Sequence, residues 1–379
     1  MKKITSLIFL SLGHAATDFY PGMLSPLLPI FISMHGWSLT KAGILVTVLQ
    51  VSCNFSQPFF GILNDHKPMR FYLWAGLIIT GLPFCFVLKI DSFTVMIIAM
   101  VISGLGIGIY HPVAAVAAGR VADENRKSLS MALFSSGGHT SFMVAPLIVV
   151  LIVKVLGNNY MPLVIFPALI MTLFFLFDKN IVVNEGHGYS LHEWFSSLSL
   201  SGKELFLIWV VSSFRAIVLM LVGSFLPIFF IARGSTYEES AYILSFSLLA
   251  STVGMFVGGH LSDTYGRKKI IILMLITASP LLFGFVETSG IISIIFLITG
   301  MSALSSTIPI SIIHAQHANP RLAGMASSLV MGLSFAMGAL AATPFGILAD
   351  NVGIENAMRV PLILPIFAGF TAFFLKKDL

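Results

Sequence analysis

The chain has 379 residues, 57% of them apolar and only 10% charged, against roughly 25% charged in an ordinary soluble domain. So few charges cannot cover a water-facing surface, which excludes a soluble globular domain and makes lipid the solvent. The formal net charge of +5 is scattered over short loops, as membrane anchoring requires, and forms no nucleic-acid patch.

A run of about 20 apolar residues crosses a bilayer as a helix. Twelve such spans are predicted, at residues 5–33, 39–63, 71–90, 92–119, 128–153, 162–178, 204–232, 239–262, 270–286, 290–316, 322–349 and 356–375. Lys2-Lys3 before the first span imitates a signal peptide, but apolar character continues to Ser33 with His14 and Asp18 inside it. This is an uncleaved first span. His14 lies four residues before Asp18, so both fall on one helix face and form a candidate proton-binding pair. Tyr20 adds a hydroxyl to the same span.

On the second span Gln50, Asn54 and Gln57 recur at i, i+4, i+7. Lipid cannot satisfy amides, so the stripe faces a cavity or another helix, and whether it touches substrate or joins helices stays open. Cys53 and Cys85, each inside an apolar run, read as buried free thiols. On the fourth span Gly104 and Gly108 offer a close-packing surface, and Tyr110 and His111 follow before Pro112. The fifth carries Gly137-Gly138-His139 and Pro146, and Gly332 and Gly338 on the eleventh suggest further packing sites.

Residues 179–203 are the longest non-spanning stretch and link two halves, 1–178 and 204–379. Leu191, Trp194, Phe195 and Leu198 have the spacing of a short helix lying on the membrane surface. The halves repeat one another. Gly259 and Asp263, between the eighth and ninth spans, lie 198 residues after Gly61 and Asp65, and Pro344 lies 198 after Pro146. Independent landmarks sharing one offset argue for duplication.

The stretch Gly259-His260-Leu261-Ser262-Asp263-Thr264-Tyr265-Gly266-Arg267-Lys268-Lys269 resembles the signature loop of the major facilitator superfamily, and 61–70 keeps its glycine, aspartate and final arginine. The resemblance implies an all-α membrane fold of twelve helices in two six-helix parallel repeats, working by alternating access. In that frame Gly61, Asp65, Arg70, Gly259, Asp263, Gly266, Arg267 and Lys268 are expected to latch one of the two states. With the N-terminus placed in the cytoplasm, fifteen Lys and Arg fall inside and five outside, a positive-inside bias that puts both termini and both signature loops on the cytoplasmic side.

Asp18 alone among the acidic residues, and Arg215 alone among Lys and Arg, lie deep in a span. A charge there is costly and marks a functional cavity. The offset sets Arg215 beside Asp18, so the two are expected to face one midplane cavity, with a fixed structural ion pair as the alternative. Nothing here has the glycine-rich Lys-Ser/Thr pattern of direct ATP hydrolysis, and no His/Cys cluster has metal-ligand spacing. No enzyme activity, cofactor or metal is therefore expected.

Within the superfamily, Gly13-His14, Thr17-Asp18, Leu27-Leu28-Pro29, Gln57-Pro58, Tyr110-His111-Pro112, Gly137-Gly138 and Gly346-Ile347-Leu348-Ala349-Asp350 resemble the fosmidomycin-resistance group of bacterial efflux proteins. That resemblance implies proton-driven efflux of a small drug-like or phosphonate-like compound across the bacterial inner membrane, with Asp18 and His111 near the central cavity. The chain departs from drug/proton antiporters in two places: no arginine occurs on the fourth span, and Ala145-Pro146 stands where they carry Gly-Pro. Proton-coupled uptake of a sugar or organic acid, or a non-transporting receptor, remain the alternatives. Asp18, His14 and His111 are the expected proton-coupling residues. Arg215, Gln50, Asn54, Tyr20, Tyr110 and His139 are the expected substrate contacts. The expected partners are a small molecule, protons and lipid, with the protein a monomer.

Overall fold

The computed structural model describes residues 2–66, 70–121, 127–177, 202–318, 326–327 and 329–376. Helices α1 (Lys2–His35), α2 (Leu39–His66), α3 (Phe71–Phe84), α4 (Phe93–Val121), α5 (Lys127–Val150) and α6 (Phe166–Phe177) make the first half. Helices α7 (Gly202–Ala232), α8 (Tyr237–Tyr265), α9 (Arg267–Glu287), α10 (Gly290–Ala318), α11 (Ser334–Val352) and α12 (Leu364–Ala372) make the second. No strand occurs among the described residues. Each expected span holds one of these helices. The surface helix expected around Leu191–Leu198 lies outside the described residues.

Among the described residues, nine helical stretches are long and apolar enough to cross a bilayer. The three remaining spans fall short for visible reasons. Helix α1 contains His14, Asp18 and the prolines Pro21, Pro26 and Pro29. Helix α2 carries its polar stripe and Pro58. The twelfth span is broken by Pro361 and Pro365 into a turn, Pro361–Ile363, and the short α12.

The chain separates into two units, one of Met1–Trp37 and Val48–Tyr189, the other of Ser38–Thr47 and Ser190–Leu379. In the first, α1 lies against α5, and α3 against α4 and α6. In the second, α7 lies against α11, and α9 against α10 and α12, the same pairings one repeat later. The first turns of α2 belong to the second unit because Asp350, near the end of α11, caps them. Its carboxylate accepts from the backbone N–H of Leu39 at 2.7 Å and of Thr40 at 2.8 Å, and from Thr40 Oγ1 at 2.6 Å. A carboxylate there answers the orphan donors of a helix N-terminus.

Small residues set the helix spacing. A Cβ on Gly104 would lie 2.5 Å from Leu49 O and 2.7 Å from Ser52 Cβ, and one on Gly108 would meet Ser56, both on α2. In the second unit a Cβ on Gly258 would lie 2.5 Å from Ser306 Cβ, and one on Gly254 2.8 Å from Ser302 Cα. Gly338 is likewise pressed against Ala216 O, but nothing lies within 4 Å of a Cβ on Gly332. Gly332 is therefore not a packing site, because its open side meets no neighbouring helix.

Proline-broken helices free carbonyls that neighbours must satisfy. Tyr20 Oη donates to Val164 O at 2.9 Å, its ring passing over Gly81, where a Cβ would lie 2.6 Å from the ring. In the second unit Ser279 Oγ donates to Leu362 O at 2.5 Å. Cys53 and Cys85 are buried free thiols.

Candidate functional site

Helices α1, α4 and α5 build an ionisable cluster inside the first unit. Asp18, 8% exposed, is held between two imidazoles. His14 Nε2 lies 3.2 Å from Asp18 Oδ2, and His111 Nε2 lies 2.9 Å from Oδ1. The two rings meet edge to face, centroids 5.0 Å apart. His14 and Asp18 share a face of α1 as their spacing predicts; His111 arrives from α4, 93 residues away in the chain.

Helix α5 supplies two groups, Phe134 and Gly138, that were not among the expected site residues. Phe134 stacks its ring on His14 at 4.5 Å, and its carbonyl lies 3.0 Å from His14 Nδ1. One turn on, Gly138 stands against the pair: a Cβ there would clash with Asp18 Oδ2 and lie 2.9 Å from His14 Nε2. Only glycine leaves room for the contact. The double glycine in mid-helix was the available signal, since an interior glycine costs a helix about 1 kcal/mol and is kept for close approach.

The Phe134 carbonyl decides what the cluster does chemically. A carbonyl oxygen can only accept, so His14 Nδ1 must carry a hydrogen. In a neutral imidazole that leaves Nε2 with a lone pair, aimed at a carboxylate oxygen that also only accepts. Two acceptors at 3.2 Å repel. One added proton between Nε2 and Oδ2 turns the repulsion into a charge-assisted hydrogen bond. His111 has no such constraint, because its Nε2–H can donate to Oδ1 with the ring neutral. His14 and Asp18 can thus share one proton, while His111 can hold the carboxylate through a neutral Nε2–H. The nearest ligating atoms of His14, Asp18 and His111 lie within 4.8 Å of one another, a spread one small cation can bridge. At 2.9 and 3.2 Å the groups already touch at hydrogen-bond length, so a shared proton fits the gap that exists.

Arg215, on α7, is 1% exposed. Its Nη1 donates to Thr307 O at 3.2 Å, Thr307 Oγ1 at 3.4 Å and Ser311 Oγ at 3.0 Å, all on α10, while Nε is buried without a partner. No carboxylate of its own unit pairs with it among the described residues.

Other expected contacts fare differently. Tyr20 and Tyr110 are both 0% exposed. Tyr20 spends its hydroxyl on Val164 O and Tyr110 on Leu10 O at 3.2 Å. In this structure both hydroxyls are thus taken up by backbone carbonyls. His139 is exposed and bonds Ser135 O of its own helix at 3.0 Å, so it is not brought to the Asp18 cluster. On α2, Asn54 Nδ2 donates to Gln50 O at 2.8 Å and Gln57 Nε2 to Cys53 Sγ at 3.4 Å. Among the described residues both of these hydrogen bonds stay within α2, which argues against the stripe's joining helices.

The signature loops differ in what their residues meet. Asp263 is exposed and makes no ion pair among the described residues, and a Cβ on Gly259 meets open space. Gly61 is only loosely packed, 3.6 Å from Pro112, and the Asp65 side chain lies outside the described set. Gly266 closes α8 at φ 90°, a backbone shape reserved for glycine. The cations bind within their units instead. Arg70 Nη2 donates to Phe175 O at 2.8 Å, Lys268 Nζ to Phe373 O and Leu375 O at 2.6 Å, and Arg267 Nη1 meets His317 Nδ1 at 2.7 Å.

Two repeated six-helix units, threaded by proline-bent spans and with an ionisable cluster sunk in one of them, define a multi-pass membrane transporter. The chain belongs to the Major Facilitator Superfamily, whose family model matches residues 10–342. It is thus a transporter and not an enzyme. It is 26% identical to the uncharacterized MFS-type transporter YfnC of Bacillus subtilis (strain 168), over 98% of this chain and 93% of that protein. It is 24% identical to the fosmidomycin resistance protein of Escherichia coli (strain K12), over 96% of this chain and 91% of that one. Among solved structures, the D-xylose-proton symporter superposes with a TM-score of 0.79 at 13% identity, covering 99% of this chain and 98% of that one. A likeness at that identity speaks for the fold alone.

Proposed function

We propose that this protein is a proton-coupled secondary transporter that exports a small anionic, drug-like compound by alternating access across the bacterial inner membrane. The observation that carries the reading is the His14–Asp18 contact, satisfied only when one proton lies between Nε2 and Oδ2. Such a site changes its charge by one with each proton, which is what coupling to a proton gradient requires. Arg215, buried with an unpartnered Nε and no carboxylate of its own unit beside it, supports an anionic cargo, for which a guanidinium offers two parallel donors. The fosmidomycin-resistance relative supports efflux as the direction. Gln50 and Asn54 of α2 are the further candidate contacts. The cytoplasmic placement of both termini follows from the distribution of Lys and Arg.

The test is pH-gradient-driven flux in proteoliposomes at matched folded amounts, with a panel of phosphonates and organic anions. Asp18→Asn keeps the shape of the carboxyl and cannot release a proton. It is expected to bind and exchange substrate while losing at least tenfold of its gradient-driven flux. Arg215→Gln should weaken anion binding and leave the gradient response of any residual flux intact. An unchanged gradient response in Asp18→Asn removes this cluster from coupling.

A further inference from the structure

The ionisable cluster of the first unit also has the parts of a metal site. Among the described residues, His14, Asp18 and His111 are the one group of three His, Cys, Asp or Glu side chains whose ligating atoms come together, all within 4.8 Å of one another. The other buried imidazole–carboxylate pair, His314 Nε2 at 2.6 Å from Glu204 Oε1, has no third ligand among those residues. Sequence spacing predicted no metal site because the third ligand comes from α4, 93 residues from Asp18.

An ion sits beside a ligand–ligand contact and not within it. With metal bonds of about 2.0–2.2 Å, two ligand atoms of a tetrahedral shell stand about 3.4 Å apart. The 3.2 Å between His14 Nε2 and Asp18 Oδ2, and the 2.9 Å between His111 Nε2 and Oδ1, are close to such edges. The tautomer of His14 is already set for coordination. Phe134 O takes the Nδ1 hydrogen, which leaves the Nε2 lone pair turned toward Asp18. A metal-ligating imidazole hands its other N–H to a carbonyl in the same way. The Phe134 ring, stacked on His14 at 4.5 Å, holds the imidazole and its lone pair in place. A dication accepts from Nε2 and Oδ2 together, and so removes the repulsion between them without a proton. His111 becomes a ligand once its hydrogen stands on Nδ1, a change of tautomer that alters no charge.

The site is also reachable. Gly138 keeps one side of it open, since a Cβ there would lie 2.9 Å from His14 Nε2. The side chains of His14 and His111 are 15% and 21% exposed, so an ion can enter and a fourth position stays free for water. Two imidazoles and one carboxylate suit zinc and its neighbours in the first transition row; magnesium and calcium prefer oxygen ligands.

We propose that His14, Asp18 and His111 bind a divalent transition-metal ion of the size of Zn²⁺, through three protein ligands and an open fourth position.

The experiment titrates the purified full chain in detergent, free of any affinity tag and at one fixed pH, with zinc chloride by calorimetry and with cobalt chloride by visible absorption. The wild type should bind one Zn²⁺ per chain, at a site that Co²⁺ fills with the absorption bands of four- or five-coordination, and excess Mg²⁺ should displace neither ion. His14→Gln, Asp18→Asn and His111→Gln should each lower the affinity at least about tenfold and remove the cobalt bands. His139→Gln, at an exposed histidine of α5, should change nothing. A wild type that binds no Zn²⁺ at this stoichiometry, binding that survives the loss of a ligand, displacement by Mg²⁺, or binding lost in His139→Gln would each overturn the proposal. Where one ligand variant fails to fold, the other two decide. Neither a proton gradient nor a substrate enters the measurement, so failure here and failure of proton-coupled export are told apart.

Discussion

The two six-helix units, compared position by position at the offset of 198, agree in what holds them together and disagree in their chemistry. Arg70 binds Phe175 O and Lys268 binds Phe373 O, and both members of the pair shift by the same offset. A cation near the last carbonyls of the sixth helix is a favourable helix cap, so the signature loops clamp that helix in each unit. The carbonyls of Val164 and Leu362 also correspond, one satisfied by Tyr20 over Gly81, the other by Ser279, which stands at the position of Gly81. Gly104 and Gly108 on α4 face Ser52 and Ser56; their counterparts Ser302 and Ser306 on α10 face Gly254 and Gly258. The small partner has changed sides, and the contact has moved one turn along the facing helix, since Gly254 and Gly258 stand at the positions of Ser56 and Phe60. By contrast His14, Asp18 and His111 correspond to Ser212, Ala216 and Pro309, and Thr17 to Arg215. A change at a helix contact must be matched across it or the helices separate. A side chain that lines a site answers only to its ligand, so the two units were free to become acidic in one and basic in the other.

The comparison breaks most visibly at the helix contacts. Gly108→Leu and Gly258→Leu should each overpack a helix pair by about 1–3 kcal/mol or more and sharply reduce the folded fraction recovered in detergent. Size-exclusion profiles and thermal unfolding check this, and a tolerated Gly258→Leu beside a lethal Gly108→Leu would deny the equivalence. Smaller effects are expected at the bent helices. Tyr20→Phe and Ser279→Ala each strand one buried carbonyl, costing about 1–3 kcal/mol, and both should lower the unfolding temperature without changing substrate affinity. A binding defect in Tyr20→Phe at unchanged stability would return Tyr20 to the substrate site. The smallest contrast lies within one span, six residues apart: Gly338→Ala should destabilise measurably, whereas Gly332→Ala should stay within about 0.5 kcal/mol of the parent, as its open surroundings among the described residues demand.

Much of this architecture was legible beforehand. Apolar length alone suffices for nine of the twelve spans among the described residues, because a bilayer demands a continuous apolar run of fixed length; prolines and polar residues weaken that signal in the other three. The repeat was legible because Gly61 and Gly259, Asp65 and Asp263, and Pro146 and Pro344 share one offset of 198 residues. Half of the candidate site was legible as well: the i, i+4 spacing of His14 and Asp18 puts them on one face of α1. What Tyr20, Tyr110 and His139 meet was not legible, since a polar residue inside a span looks the same whether it meets a ligand, a carbonyl or its own helix.

By itself, then, the sequence determined the solvent of the chain, the number and place of its helices, its duplication and the one helix face that carries a carboxylate and an imidazole. Those follow from local periodicity and from the cost of charge in lipid, which act on neighbours in the chain. Tertiary structure alone decided that His111 reaches Asp18 across 93 residues and that His314 reaches Glu204 across 110. It alone decided that the Phe134 carbonyl sets the tautomer of His14 and that Gly138 makes room for the pair. Periodicity says which face of a helix a residue occupies; what that face meets depends on how closely and at what rotation the helices pack, and a missing Cβ on a distant helix settles that.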